Sequence, residues 1–202
     1  MPNTPVRKVC CILLAAGRGQ RFGGRSNKLL QPLTDGTPVI LDAVRNIPCA
    51  LRDVYVVVPP EYDSLAITLQ HEGVQFVVNT AADKGMGSSL ACGIAASVEA
   101  DAWVILLADM PWIQPKSIKA VVDALENDAS LVVLRYQGQR GHPVGFNQCF
   151  RDELLKLHGD QGARSVLEHN KTQIHYIDVN DPGILLDVDT PADLTRSSAF
   201  NR

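Results

Sequence analysis

Val9-Cys10-Cys11-Ile12-Leu13-Leu14-Ala15-Ala16-Gly17-Arg18-Gly19-Gln20-Arg21-Phe22-Gly23-Gly24 passes from an unbroken apolar run into glycine and arginine within a few residues. Residues 9–15 show no period-two alternation, the pattern of a strand covered on both faces. Residues 17–28 read as a loop punctuated by Gly17, Gly19, Gly23 and Gly24. Outward from this opening the chain alternates. Strands are expected at 53–58, 74–78, 103–108, 131–136 and 174–179. Helices are expected at 38–47, with Thr37 as N-cap and Pro38 in first position, then at 61–71, 88–98, 115–126, 152–157, 163–169 and from 191 onward. Strands separated by helices of about ten residues predict an α/β fold with three α/β/α layers and a mainly parallel central sheet. Ligands of such sheets bind beyond the carboxyl ends of the strands, where the polar loops after strands one, three and four fall.

The 202 residues suit one domain. A hydrophobic content of 46% against 20% charged residues excludes disorder and coiled coil. A net charge of −3 lacks the basic signature of a nucleic-acid binder, so no nucleic-acid partner is expected. No apolar stretch approaches the ~20 residues that cross a bilayer, and no membrane partner is expected. The apolar run after Arg7-Lys8 is short for a signal peptide and leads straight into the glycine loop, so a buried strand explains it better. The five cysteines form no CxxC pair. A cytoplasmic protein with reduced thiols is expected.

Charge is unevenly placed. Residues 1–34 hold six cations (Arg7, Lys8, Arg18, Arg21, Arg25 and Lys28) and no acid, leaving 13 of the 19 cations against all 22 acids, a net of −9 for the remainder. Such a patch suits a small anionic ligand or is a solvated basic loop. The glycines favour the ligand, because they bring backbone N–H groups against phosphate oxygens. Two familiar phosphate loops do not match. The P-loop ends in Gly-Lys-Ser/Thr, absent here. The dinucleotide fingerprint is GxGxxG with an acid at the end of strand two, whereas this chain has GxGxxxG and Pro59-Pro60. A triphosphate clamp built from side chains remains. A terminal phosphoryl carries about −1.5 to −2 near neutrality, while a helix N-terminus offers about +0.5. Arg18, Arg21 and Lys28 supply the difference, arginine bidentately.

Asp109 follows the apolar run 103–108 and precedes Met110-Pro111. A carboxylate there is costly to desolvate unless paired. Mg²⁺, held by one or two carboxylates plus substrate phosphates, is one partner; a turn or cap aspartate is the other reading. Asp187-Val188-Asp189-Thr190-Pro191 is a second candidate, open in the same way, since Thr190 or Asp189 also serves as a helix cap. Gly87, Ser88 and Ser89 open a helix whose N–H groups and hydroxyls suit a base or phosphate, with Ser88 alternatively the N-cap. Asp83 suits ribose or base donors, or a turn. His142, Asp160 and Arg164 lie in two further polar clusters; Arg164 opposes the dipole of the helix it opens, which favours an anionic partner.

Taken together, Leu14-Ala15-Ala16-Gly17-x-Gly19-x-Arg21-Phe22-Gly23-Gly24…Lys28, Ala108-Asp109-Met110-Pro111 and Asp187-Val188-Asp189-Thr190-Pro191 resemble the nucleotidyltransferases that mature the molybdenum cofactor. Gly85-Met86-Gly87-x-Ser89-Leu90, Gly141-His142-Pro143-Val144 and Gly159-Asp160-x-Gly162-Ala163-Arg164 resemble the cytidylyltransferase branch. The resemblance spans residues 9 to about 195. It implies a Rossmann-like nucleotidyltransferase domain over 1–202, with 1–110 mainly binding nucleotide and 111–202 mainly the acceptor. It implies transfer of CMP from CTP to the terminal phosphate of molybdopterin or molybdenum cofactor, with a molybdoenzyme or its maturation chaperone as a further partner. Leu14, Ala15, Ala16, Gly17, Arg18, Gly19, Lys28, Asp83, Gly87, Ser88 and Ser89 would bind nucleotide. Lys28, Arg21 and Asp109 would be catalytic, Asp109, Asp189 and Asp187 would hold Mg²⁺, and His142, Asp160 and Arg164 would meet the acceptor. The insert Arg25-Ser26-Asn27 lengthens the loop before Lys28 relative to that family. Relatives that transfer GMP carry Leu-Ala-Gly-Gly where this chain has Leu14-Ala15-Ala16-Gly17, which favours CTP. Other readings are GTP as donor, another phosphomonoester as acceptor, a nucleotide-dependent oxidoreductase, or a non-catalytic nucleotide sensor.

Overall fold

The computed structural model describes residues 7–17, 27–61 and 63–196. A seven-stranded sheet carries the architecture: β1 (Val9–Leu14), β2 (Val54–Val58), β3 (Phe76–Val78), β4 (Ala102–Leu107), β5 (Leu131–Tyr136), β6 (Gln139–Asn147) and β7 (Ile174–Asp178), in the order β3-β2-β1-β4-β6-β5-β7. Every pairing is parallel except those of β6, which runs antiparallel to β4 and β5. The expected mainly parallel sheet of an α/β fold is therefore present.

The helices are α1 (Val39–Arg45), α2 (Asp63–His71), α3 (Met86–Ala96), α4 (Pro115–Glu126), α5 (Arg151–Leu155) and α6 (Arg164–His169). Side chains alternate across β1 and seed two cores. Cys11 and Leu13 pack with residues of α1, α2 and α4, while Cys10, Ile12 and Leu14 pack with residues of α3, α5 and α6. Helices thus cover both faces, which is why the strands read as continuous apolar runs.

Four expectations need correction. α1 begins one residue late: Pro38 is its N-cap without a side-chain bond, and the Thr37 hydroxyl instead accepts from Arg45 at 3.3 Å. α3 begins at Met86 with Gly85 as N-cap, so Ser88 is not the cap. The expected terminal helix is only a 3-10 turn, Pro191–Thr195. Of the two expected caps Thr190 holds the N-cap position, and Asp193 completes the cap by accepting from the Asp189 and Thr190 N–H groups and the Thr190 hydroxyl.

The largest omission is β6, read from sequence as a polar cluster. Glycines and Pro143 broke its pattern, and proline is foreign to central strands. The structure accommodates it with an irregularity. Val133 pairs Val144 and Leu134 pairs Gly141, so His142 and Pro143 bulge out of the ladder. Pro143 therefore forfeits no inter-strand bond. β5 and β6 are joined by Gln137-Gly138, both with positive φ (49° and 79°), the two-residue hairpin that matches strand twist.

Candidate active site

β1 has β2 on one side and β4 on the other, so the chain reverses direction of travel across the sheet between β1 and β4. Leu14 pairs Leu107 at the carboxyl end of that junction. A crevice is expected there, and a cavity of about 530 Å³ lies there. It is lined by the turn Leu14, Ala15, Ala16 and Gly17 after β1, by Lys28 and Leu29, by Ala82 to Ser89 through Asp83, Gly85 and Met86, and by Leu107, Asp109, Asp160 and Asp189.

Each lining group is held by its local structure. Ala15 N–H donates to Val57 O at 2.9 Å and Ala108 N–H to Leu14 O at 3.0 Å, fixing the ends of β1 and β4 against each other. A Cβ at Gly17 would meet nothing within 4 Å, so the fold leaves open space before this residue. The 3-10 turn Lys28–Leu30 presents Lys28; Asn27 Oδ1 caps it by accepting from Leu29 N–H at 3.0 Å, and Leu29 anchors it in the core. Val188 N–H donates to Asp109 O at 2.8 Å. With Val188 fully buried, Asp187 and Asp189 flank it on the opposite side of this extended segment.

At the centre the Lys28 ammonium lies 2.7 Å from Asp109 Oδ2 and 3.3 Å from Asp189 Oδ1. The Lys28 side chain is only 9% exposed. Burial lowers its pKa, but Asp109 and Asp189 outweigh that and hold it above its ordinary value. The nearby Asp187 carboxyl is pushed up by burial and by repulsion from Asp189 and Asp109, with Lys28 opposing. Among the described residues, Lys28 thus acts on Asp109, Asp189 and Asp187 together. Among the described residues no three His, Cys, Asp or Glu side chains form a ready-made metal site. The donors nonetheless fit a hard divalent ion: two carboxylates converge on one cationic point, and substrate phosphates complete such a shell.

The 82–89 segment is organised by Asn79, which is buried and was not singled out from the sequence. Its amide donates to Ser89 Oγ at 3.0 Å and Ser88 Oγ at 3.1 Å, and its carbonyl accepts from Ala81 N–H at 3.0 Å. The signal was available: Asn79 follows a strand, the criterion applied to Asp109. The Ser88 hydroxyl is committed to Ala81 O and Gly85 O at 2.7 and 2.8 Å, and neither Ser88 nor Gly87 lines the cavity. The two glycines serve packing. A Cβ at Gly85 would sit 2.5 Å from Gly159 backbone, and one at Gly87 2.8 Å from His158 backbone. The absence of those methyl groups lets the 158–161 turn close against α3 and brings Asp160 to the cavity edge.

A second cavity of about 540 Å³ shares Leu14, Met86 and Leu107 with the first. Its walls are apolar, from Leu90, Ile105, Val133, Val144 and Leu167, with Arg140, His142, Arg164 and Glu168 as the polar groups. His142 reaches it because of the bulge in β6. Burial lowers the His142 pKa, with Asp109 and the Ile105 backbone opposing, so the ring is neutral near pH 7; Nδ1 is buried with no hydrogen-bond partner among the described residues. Arg140, not singled out from sequence, stacks on Tyr176 at 5.2 Å and pairs with Glu168 at 3.4 Å.

The expected residues thus divide. Leu14 to Gly17, Lys28, Asp83, Ser89, Asp109, Asp160 and Asp189 share the first cavity, and His142 and Arg164 line the second. Asp187 is exposed beside the first. Arg18, Gly19, Arg21 and Arg25 lie outside the described residues. Arg7 and Lys8 precede β1, at the end away from the cavity, and pair with Asp128 and Asp53; they do not belong to a cationic cradle.

Residues 11–174 match the MobA-like NTP transferase domain. The chain belongs to that family. It is a nucleotidyltransferase. Purine catabolism protein PucB of Bacillus subtilis (strain 168) is 33% identical over 190 residues, covering 89% of this chain and 91% of that protein. Nicotine blue oxidoreductase of Paenarthrobacter nicotinovorans is 28% identical over 207 residues, covering 97% and 99%. The crystal structure of Rv0371c from Mycobacterium tuberculosis H37Rv is similar with a TM-score of 0.80 at 26% identity, covering 96% of this chain and 100% of that one. The same protein solved as a manganese complex gives 0.70 at 24% identity, covering 93% of each. For a MobA-like transferase, a strand-end crevice holding a lysine between carboxylates is chemically coherent, because the phosphate charge of a nucleotide has to be balanced by cations.

Proposed function

We propose that this MobA-like transferase moves CMP from CTP to the terminal phosphate of molybdopterin or molybdenum cofactor and releases pyrophosphate. The observation that carries the reading is the meeting of Lys28 with Asp109 and Asp189 in the crevice beside the turn after β1. The first cavity takes the nucleotide and the second the acceptor, with the reacting phosphates at their shared border. An acceptor phosphate oxygen attacks the α-phosphorus of CTP; the α–β bridging bond breaks, and pyrophosphate leaves with the electron pair. A phosphate monoester has its second pKa near ~6, so the nucleophile is already ionised and needs no strong base. What remains is alignment and charge stabilisation.

Lys28, with Arg18 and Arg21, balances charge on the departing pyrophosphate. Asp109 and Asp189, aided by Asp187, would hold Mg²⁺. Bound there, the ion would neutralise and orient the phosphates. The manganese complex of the mycobacterial relative supports a divalent ion of this kind. Asp83 and Ser89 face the nucleoside; the engaged Ser88 hydroxyl supports the role of Ser88 less. His142 and Arg164 contact the acceptor, and Asp160 stands near the border. CTP is favoured by Leu14-Ala15-Ala16-Gly17. The second cavity draws on residues from both sides of position 110, so the division into a nucleotide half and an acceptor half describes emphasis rather than a boundary. A cytoplasmic setting and delivery to a molybdoenzyme or its chaperone belong to the same proposal.

The test is pyrophosphate release by the purified protein with CTP, Mg²⁺ and purified molybdenum cofactor. Release that requires all three is expected. Equal release with GTP overturns the donor, and release with an unrelated phosphomonoester but not with the cofactor overturns the acceptor. The relative named nicotine blue oxidoreductase keeps a second reading in play. Thermal stabilisation by NADPH without metal, and none by CTP with Mg²⁺, would establish that one instead.

A further inference from the structure

The point between Asp109 Oδ2 and Asp189 Oδ1 is filled by a cation of the protein's own. Lys28 Nζ stands 2.7 Å from one and 3.3 Å from the other on a nearly buried side chain. A Mg²⁺ ion held by those two carboxylates would draw on the same lone pairs as the ammonium and would be repelled by it. The two cations therefore compete for these acids.

We propose that Lys28 is an internal counter-ion that closes the metal position, and that the nucleotide triphosphate opens it by drawing the ammonium onto phosphate oxygens. This rests on the reading that Asp109 and Asp189 are the metal's ligands. Lys28 is the member of the trio built to change partners. Its ammonium ends a flexible four-carbon stem, while its backbone is fixed by the Asn27 cap and the buried Leu29. Only the side chain has to swing. The acids stay: Asp109 follows β4, and the Asp189 segment is tied to it through Val188 N–H. Metal and nucleotide consequently bind with positive coupling, each strengthening the other by the same factor.

The test counts bound Mn²⁺ by electron paramagnetic resonance, with and without CTP and with no acceptor, so that no turnover enters. Lys28→Met keeps the length and removes the charge; Lys28→Gln is the second variant should the first fail to fold; Lys28→Arg keeps the charge. Without nucleotide, the neutral variants are expected to bind Mn²⁺ about tenfold or more tighter than wild type, a typical size for a coupling of this kind. Lys28→Arg stays with wild type. CTP strengthens Mn²⁺ binding in the wild type and does so much less in the neutral variants. Adding Asp109→Asn to Lys28→Met abolishes the gain. Equal or weaker Mn²⁺ binding by both neutral variants without nucleotide overturns the counter-ion role and leaves the metal ligands standing. If wild type and every variant take no Mn²⁺ even with CTP, the metal reading falls and this inference with it.

Discussion

Asp181 and the Asp109–Asp189 pair are both carboxylate sites, the first fully buried and the second open to the crevice, and the protein neutralises them in opposite ways. Asp181 is fully buried and accepts from Gln114 N–H at 2.9 Å, Ser117 Oγ at 2.6 Å and Gly183 N–H at 2.9 Å. All are fixed groups: Gln114 and Ser117 stand at the start of α4, where the helix dipole also favours an anion, and Gly183 belongs to the turn Pro182–Leu185. Asp109 and Asp189 both pair with a long, movable side chain, that of Lys28. A carboxylate satisfied by backbone N–H groups has little left to offer a ligand. One held by a lysine can exchange that cation for another. Access to the crevice and the reversibility of the partner together separate a working acid from a structural one.

The comparison breaks most sharply at Asp109. On its proposed role, Asp109→Asn should lower the rate of pyrophosphate release by about 10²–10³-fold, the scale of losing one preorganised charge at a reacting phosphate. Its melting temperature should stay close to wild type, because the Lys28 head can turn to Asp189. Asp181→Ala is the reverse case. It leaves two N–H groups and a hydroxyl buried without an acceptor, at a cost of roughly 3 kcal/mol. For a chain of this length that lowers the melting temperature by about 10 °C, while the rate per folded molecule is retained. Calorimetry and pyrophosphate release on the same two preparations settle the matter. A melting loss in Asp109→Asn with none in Asp181→Ala would reverse the assignment.

The same contrast explains what could be read from the sequence. Strands β1, β4 and β5 were legible because both faces are buried and the apolar run is the whole signal. Asp109 was legible because it ends an apolar run, where the cost of a charge asks for a partner; Asp189 was legible through the resemblance of Asp187-Val188-Asp189-Thr190-Pro191 to a family motif. Which partner was not legible: Lys28 lies 81 residues from Asp109 and 161 from Asp189, and only the sheet order brings them together. Strand β6 was lost because its bulge places Pro143 and His142 outside the ladder, and no period survives a bulge. Asp181 was missed for a related reason. Its partners Gln114 and Ser117 belong to α4, more than sixty residues earlier, and Asp181 itself looks like an ordinary turn residue between Asn180 and Pro182.

Asp42 offers the smallest test and completes the series, because among the described residues it has neither a nest of N–H groups nor an ammonium in contact. It sits in the first turn of α1, partly buried. Burial first, and then the nearby Asp35, push its carboxyl up to about 6, with Arg45 opposing. The folded protein therefore holds this proton more tightly than the unfolded chain, whose aspartates titrate near ~3.9. Below that value both states are protonated and Asp42 costs nothing. As pH rises toward 6 and beyond, the folded state must accept a charge it disfavours, and stability is lost. Asp42→Asn removes the penalty. The variant should match wild type near pH 4 and exceed it at pH 7.5 by about 1 kcal/mol, well below the full worth of the shift because the group is partly solvated. Urea unfolding at the two pH values measures the difference. A gap that is widest on the acid side would mean that Asp42 is stabilised as an anion after all, and that an acid can be sustained in this protein by a short helix and a distant arginine alone.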